Sequence, residues 1–141
     1  MRIVCWIVVI CSLFFIAPAF GGEDVLVEVR GPEGNATISL SDGVGEVTTK
    51  PDHEIVATLA SNPTTGYQWQ LMKPLAEEKV KLVSQVYRPP QTRMLGAGGQ
   101  EIWIFRTVGP GEAEIVLGYL RPWEKGKPPA YIQTIRLRVV P

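Results

Sequence analysis

The chain has 141 residues, with 14 basic and 14 acidic side chains and one histidine, so its formal net charge is zero. Such an even balance, without a run of like charges, gives no electrostatic basis for binding nucleic acid or an anionic membrane. We therefore expect no nucleic-acid partner, and we expect any partner to be recognised by shape and local chemistry.

The first nineteen residues are predicted to be a secretory signal peptide. Arg2 supplies a positive charge, residues 3–16 form an uncharged and largely apolar run, and Ala17-Pro18-Ala19 is the small-x-small pattern that signal peptidase accepts. This run is shorter than the roughly 20 apolar residues that cross a bilayer. We expect cleavage after Ala19 and a secreted or periplasmic protein that does not remain on the membrane.

The predicted mature chain, residues 20–141, has no cysteine because Cys5 and Cys11 both lie in the signal segment. It can form no disulfide, so its stability must come from packing. Its length suits one domain with one hydrophobic core. We expect this domain to be a monomer.

Alternation of apolar and polar side chains with period two is the main pattern in this domain, and it predicts β-strands with one buried face. No segment has a clear helical pattern. Residues 73–79 are ambiguous between a helical turn and a loop. The predicted strands lie around residues 25–29, 38–40, 55–59, 67–71, 80–86, 102–108, 113–120 and 135–139.

The two most apolar strands flank the segment Gly109-Pro110-Gly111. Glycine tolerates positive φ and proline ends a ladder, so this segment predicts a tight turn and a central hairpin. Short strands with regular turns favour an all-β fold, here an immunoglobulin-like β-sandwich of seven to eight antiparallel strands. Aromatic residues in the strands, such as Trp69 and Trp103, are expected in its core.

Three connections carry more unusual residues than turns need: residues 61–66, 89–99 and 121–130. Two strands separate the first loop from the second, and two more separate the second from the third. If consecutive strands run antiparallel, all three loops leave the same end of the sandwich. Binding residues concentrate on loops held by a rigid framework, so this end is the candidate functional site.

The first loop reads Asn62-Pro63-Thr64-Thr65-Gly66-Tyr67. Its proline restricts the backbone and its glycine permits the return into the next strand, so the loop should be stiff. It is either a binding loop or an ordinary turn in which Asn62 bonds to nearby backbone. The following proline excludes glycosylation of Asn62, whereas Asn35 lies in a sequon, which is relevant only in a eukaryotic secretory pathway.

The second loop contains Gly96-Ala97-Gly98-Gly99, and the third opens with Arg121-Pro122-Trp123. The glycines let the backbone approach another surface closely, but the lysine and the Ser or Thr of a phosphate-binding loop are missing. Trp123 stands in a charged, proline-rich setting. It is either a binding anchor or a side chain that packs back against the sandwich.

Catalysis is not expected, because the mature chain has His53 as its one histidine and no cysteine nucleophile. A Gly-x-Ser-x-Gly elbow is absent, and Ser61 follows a strand without the helix that this motif requires. One histidine is also too few for a typical zinc site. We expect no catalytic residue, no metal site and no cofactor.

Taken in order, the three loop motifs resemble the signature loops of the chagasin family of cysteine peptidase inhibitors. The resemblance covers residues 24–140, and it implies an immunoglobulin-like fold whose loops form a wedge in the active-site cleft of papain-like peptidases, cathepsin L-type enzymes included. Inhibition is then reversible and non-covalent. The implied peptidase-binding residues are Asn62, Pro63, Thr64, Thr65, Gly66, Tyr67, Gly96, Ala97, Gly98, Gly99, Arg121, Pro122 and Trp123.

The resemblance also implies a role for each loop. Thr64 and Thr65 would occupy the catalytic centre, the glycine loop would lie along one side of the cleft, and Arg121 with Trp123 along the other. The competing hypothesis is an exported binding module for carbohydrate or a surface receptor, with Trp123 and Tyr131 as a stacking platform. Calcium-dependent carbohydrate modules would show clustered Asp and Asn, which this sequence lacks.

Overall fold

The computed structural model describes residues 25–40, 43–91 and 98–141. The predicted signal segment, residues 1–19, lies outside the described residues, as do Gly96 and Ala97 of the second loop. Within the described ranges no helix is long and apolar enough to span a membrane.

Nine β-strands form the described part of the chain. In chain order they are β1 (Val25–Gly31), β2 (Gly34–Leu40), β3 (Val44–Thr49), β4 (Glu54–Ser61), β5 (Gln68–Leu71), β6 (Val80–Arg88), β7 (Gly99–Thr107), β8 (Gly111–Leu120) and β9 (Tyr131–Val139). One sheet has the order β2-β1-β4-β7-β6 and the other the order β3-β9-β8-β5. A single turn of 3₁₀ helix, Pro63–Thr65, lies between β4 and β5.

The two sheets pack face to face around one apolar core. Successive side chains on a strand point to opposite faces, so the period-two pattern of the sequence places every second residue inside. Fully buried side chains from both sheets meet there: Val27, Ile55, Leu59 and Phe105 from the five-stranded sheet, and Ile115, Leu117 and Ile135 from the four-stranded sheet. Trp69 and Trp103 are buried with them, and the predicted all-β sandwich is confirmed.

The prediction of seven to eight strands misses β3. Alternate residues Gly45, Val47 and Thr49 are buried in this strand, but only Val47 is a large apolar side chain, so the alternation is weak in the sequence. Strand β3 also pairs parallel with β9, from Val44 beside Thr134 to Thr49 beside Val139. One strand pair is therefore parallel rather than antiparallel as predicted.

The predicted central hairpin between β7 and β8 is wrong. Strand β7 pairs with β4 and β6 in one sheet, whereas β8 pairs with β9 and β5 in the other. The turn at Gly109-Pro110-Gly111 thus crosses between the sheets, and a Cβ on Gly109 would lie 2.7 Å from the Glu78 carbonyl oxygen. Both strands are highly apolar because each is an interior strand of its own sheet.

Residues 73–79 form bends and a turn rather than a helix. The N–H groups of Lys79 and Val80 both donate to the Ala76 carbonyl, at 2.8 and 2.9 Å. This single turn leads directly into β6.

Candidate functional site

The three unusual loops meet at one end of the sandwich, as the strand count predicted. Ser61, the last residue of β4, pairs with Gly99 at the start of β7, so the first and second loops are neighbours. At the start of β5, Gln68 pairs with Leu120 at the end of β8, which brings the third loop beside the first. His53 precedes β4 and therefore lies at the opposite end, where its Nδ1 is 2.9 Å from the Pro51 carbonyl oxygen.

The first loop is a capped 3₁₀ turn. Asn62 is its N-cap, and the Asn62 Oδ1 accepts hydrogen bonds from the Thr64 backbone N–H at 3.2 Å and the Thr64 hydroxyl at 2.6 Å. A carboxamide in this position satisfies an N–H group that a short helix leaves unpaired. Gly66 ends the turn with φ at 81°, a left-handed conformation that glycine adopts without strain.

Thr65 closes the same loop from the other side. Its hydroxyl donates to the Asn62 carbonyl at 2.6 Å and its backbone N–H donates to the same oxygen at 3.1 Å. Thr64 and Thr65 are nonetheless exposed at the tip. Asn62 therefore makes the local bonds of an ordinary turn, and these bonds stiffen a loop that projects into solvent.

Aromatic side chains support this loop from below. Tyr119 accepts a hydrogen bond from the Asn62 N–H at its hydroxyl, at 3.0 Å, and its ring stacks on Tyr67 with centroids 5.2 Å apart. Trp69 packs against the Tyr119 ring with centroids 5.1 Å apart, and its indole N–H donates to the Ala60 carbonyl at 2.9 Å. The loop consequently rests on the core rather than moving independently of it.

The third loop is bonded to the first through Arg121. Its Nε donates to the Thr65 carbonyl at 3.0 Å, and the guanidinium lies 4.5 Å from the centroid of the Tyr67 ring, a cation–π arrangement. Arg121 Nη1 also donates to Glu124 Oε1 at 3.1 Å, which holds the pKa of that carboxyl below its usual range. Lys127 adds a weaker ion pair to Glu124.

Trp123 packs against the first loop and also remains largely exposed to solvent. A Cβ on Gly66 would lie 2.8 Å from Cζ2 of Trp123 and closer still to its Cη2, so the indole lies directly on Gly66. Even so, 65% of Trp123 is accessible. The Glu124 N–H donates to the Arg121 carbonyl at 3.1 Å and closes the turn that carries Pro122 and Trp123.

Gly98 and Gly99 place the described part of the second loop against the first. A Cβ on Gly98 would lie 3.4 Å from the Ser61 carbonyl oxygen and 3.6 Å from Cβ of Asn62. At Gly99 a Cβ would overlap the Arg88 carbonyl and lie 2.6 Å from the Tyr87 hydroxyl. The glycines thus permit close contact within the protein itself.

Comparison with known proteins identifies the group to which this arrangement belongs. The sequence profile described as Chagasin family peptidase inhibitor I42 matches residues 48–139, which include all three loops. The chain belongs to the chagasin family.

One relative of this chagasin-family protein is Chagasin from Trypanosoma cruzi, with 38% identity over 88 residues, or 60% of this chain and 74% of that protein. A solved cysteine protease inhibitor from Entamoeba histolytica shares 26% identity with a TM-score of 0.56, over 69% of this chain and 96% of that one. The structure of PbICP-C in complex with falcipain-2, at 18% identity and a TM-score of 0.50 over 69% and 86% of the two chains, shows the fold alone.

Family membership confirms the predicted inhibitor class and immunoglobulin-like fold, and it confirms that the protein is not an enzyme. Within the described residues no group of three or more His, Cys, Asp or Glu side chains could hold a metal ion. Contact of the thirteen predicted residues with a peptidase stays a prediction. The structure brings eleven of them together, and the other two, Gly96 and Ala97, are not described.

The sequence motifs do not include one polar residue of this chagasin-like site, Glu101 on β7. It is 6% exposed and accepts hydrogen bonds from the Ser61 hydroxyl and the Trp69 N–H. A single charged residue at the edge of an otherwise apolar stretch, Glu-Ile-Trp-Ile-Phe, was the available signal. A charged side chain is rarely fully buried unless it has partners, so its position in this stretch could have marked it.

Proposed function

We propose that this protein inhibits papain-like cysteine peptidases reversibly and competitively, by inserting its three loops into the active-site cleft. The observation that carries the proposal is the bonding of the third loop to the first. Arg121 and Trp123 both rest on the segment from Thr65 to Tyr67, so the loops form one surface before any partner arrives. The similar cysteine protease inhibitor from Entamoeba histolytica, at 26% identity, supports cysteine proteases as the class of target.

Each loop has a proposed place in the cleft. Thr64 and Thr65 are exposed in the first loop and would lie at the catalytic cysteine and histidine. Gly98 and Gly99, with the glycine loop that precedes them, would follow one side. Arg121 and Trp123 would follow the other side, with the exposed face of the indole on an aromatic surface of the enzyme.

Preorganisation is the physical basis for tight binding. Association costs free energy because flexible groups must be ordered, and that cost is smaller when the loops are already bonded in their binding conformation. The internal hydrogen bonds of Thr64 and Thr65 with Asn62 fix the tip in this way. A tip that is held in one conformation also resists cleavage. Its peptide bonds are kept from the distance and angle at which the catalytic cysteine of the peptidase attacks.

We also propose that the protein acts outside the cytoplasm after removal of residues 1–19. The apolar run and the Ala17-Pro18-Ala19 pattern support export. Expression of the full chain in a secreting host, followed by mass spectrometry of the product, tests this proposal. A product that begins at Phe20 agrees with it, and a retained segment with the full mass contradicts it.

The function is tested by steady-state inhibition of papain and of a cathepsin L-type enzyme by residues 20–141, with a serine peptidase as control. We expect competitive inhibition of the cysteine enzymes alone, with the inhibitor recovered uncut. If a folded protein inhibits neither enzyme, the proposal fails for these targets, and glycan or receptor binding becomes the hypothesis to test.

A further inference from the structure

The first loop connects two strands that belong to different sheets. Strand β4 ends at Ser61 in the five-stranded sheet, and β5 begins at Gln68 in the four-stranded sheet. In a hairpin, a backbone ladder holds the two ends of a loop together, but here no ladder joins β4 to β5. Side-chain contacts between the two sheets therefore help to set the distance between the two ends.

Glu101 lies where it can set this distance. Its Oε2 accepts the Ser61 hydroxyl at 2.8 Å and the Trp69 backbone N–H at 3.1 Å, and its Oε1 accepts Gln85 Nε2 at 3.2 Å. Ser61 is the residue before Asn62, and Trp69 is the second residue of β5. One carboxylate oxygen is thus shared by the chain entering the loop and the chain leaving it.

Burial makes this arrangement sensitive to substitution. Glu101 is 6% exposed, and no Lys, Arg or His among the described residues forms an ion pair with it. A buried carboxylate is tolerated only when donors satisfy it, and hydrogen bonds to a charged acceptor are stronger than neutral ones. Two of its three donors come from the ends of the first loop.

We infer that Glu101 is a positioning residue for inhibition, which fixes both ends of the first loop and so holds the loop in the shape that blocks the peptidase. This inference rests on the proposed function. Glu101 does not touch the peptidase itself. It acts through Ser61 and Trp69.

Two substitutions of Glu101 separate the effect of its hydrogen bonds from the effect of its side-chain volume. Glu101→Gln keeps an oxygen for Ser61 and Trp69 and turns its NH₂ toward Gln85, whose amide can rotate to accept it. Glu101→Leu keeps apolar bulk and removes every acceptor. We expect near-normal inhibition by Glu101→Gln, and for Glu101→Leu an inhibition constant weaker by about tenfold or more, the scale of a lost buried hydrogen bond.

The decisive readout is cleavage of the inhibitor by its target. With its ends released, the first loop of Glu101→Leu should be cut by the peptidase between Asn62 and Gly66, whereas the wild-type protein stays whole. Val47→Ala is the matched control, since Val47 is buried in β3 beside Leu137, toward the opposite end. It should lower the melting temperature without loop cleavage or loss of inhibition.

Hydrogen exchange of the free protein tests whether Glu101 anchors the first loop, independently of peptidase inhibition. Glu101→Leu should speed amide exchange at Trp69 and Gly66, and Val47→Ala should not. Unchanged exchange at both amides would overturn the anchoring role, even if the protein inhibits. Faster exchange in a protein that inhibits no peptidase would uphold the anchor and overturn its role in inhibition.

Ser61→Ala covers the case in which Glu101→Leu does not fold. It removes one of the two loop-end contacts while leaving Glu101 bonded to Trp69 and Gln85. We expect a weaker inhibition constant by a few-fold, with faster exchange at the loop amides. Wild-type inhibition and exchange in Ser61→Ala would contradict the inference.

Discussion

The indole of Trp123 lies directly on Gly66, at a position where any Cβ would overlap the ring. Gly66 is therefore required for two reasons: its φ of 81° and its contact with the third loop. Through this contact the first loop supports the side chain expected to bind the peptidase. Gly66 therefore couples the conformation of the first loop to the position of Trp123 in the third loop.

Gly66→Ala should displace Trp123 and weaken inhibition. Gly126→Ala is the matched control, because Gly126 has φ at 83° but nothing within 4 Å of its Cβ position. Both substitutions carry the backbone cost of a left-handed residue, about 1 kcal/mol. Only Gly66→Ala should also change the tryptophan fluorescence and the inhibition constant. Equal inhibition by the two variants would show that the contact of Trp123 with Gly66 is unimportant for binding.

Trp123→Ala should weaken binding by at least ~2 kcal/mol, the usual threshold for an interface hot spot. The fold should remain intact because most of this side chain is exposed. Inhibition constants and thermal unfolding check the two parts of this prediction. An unchanged affinity would remove Trp123 from the mechanism.

Tyr119→Phe should loosen the first loop without disturbing the aromatic packing beneath it. The substitution removes the hydroxyl that accepts the Asn62 N–H and keeps the ring that stacks on Tyr67. Loss of one such hydrogen bond costs about 1 kcal/mol of unfolding free energy. Denaturant unfolding measures it, and Tyr131→Phe, on the exposed ring next to Tyr119, is the control. Equal stability of the two variants would argue against this support.

Acid should weaken the ion pair between Arg121 and Glu124 within the third loop. The hydrogen bond from Arg121 lowers the pKa of Glu124 from its ordinary value of 4.5. A lowered folded-state pKa means that the pair stabilises the protein above the unfolded pKa, and this stabilisation is lost as the pH falls through the folded pKa. The melting temperatures of wild type and Glu124→Gln should therefore converge as the pH falls below 4.5. A constant difference at all pH values would contradict this prediction.

Inserting two glycines between Thr64 and Thr65 should abolish inhibition. The insertion separates Asn62 from the Thr65 hydroxyl and N–H that close the turn. The sandwich should still unfold cooperatively, which circular dichroism checks. Full inhibition by this variant would mean that another element blocks the cleft.

The sequence predicted the sandwich because the period-two pattern is a local property of each strand. It did not predict the pairing of β7 and β8 across different sheets, since a Gly-Pro-Gly turn joins hairpins and crossovers equally well. Strand β3 was missed because Val47 is its one large buried apolar residue. Its place is decided by parallel pairing with β9, far along the chain.

For the candidate site too, the local features were predictable from the sequence and the long-range contacts were not. The unusual loops are local features, and the count of strands between them was enough to place them at one end. Glu101 was not recognised because its donors Ser61 and Trp69 are 40 and 32 residues away. Only the folded arrangement shows that a carboxylate inside an apolar strand is satisfied, and which segment it holds.

The most direct test of the three-loop mechanism is a hydrogen-exchange footprint of residues 20–141 bound to an inactivated papain-like peptidase. We expect slowed exchange in residues 62–67, 98–99 and 121–123, with the hairpin around residues 31–34 at the opposite end unchanged. Protection confined to that hairpin or to the outer faces of the sheets, with exchange in the three loops unaltered, would contradict it.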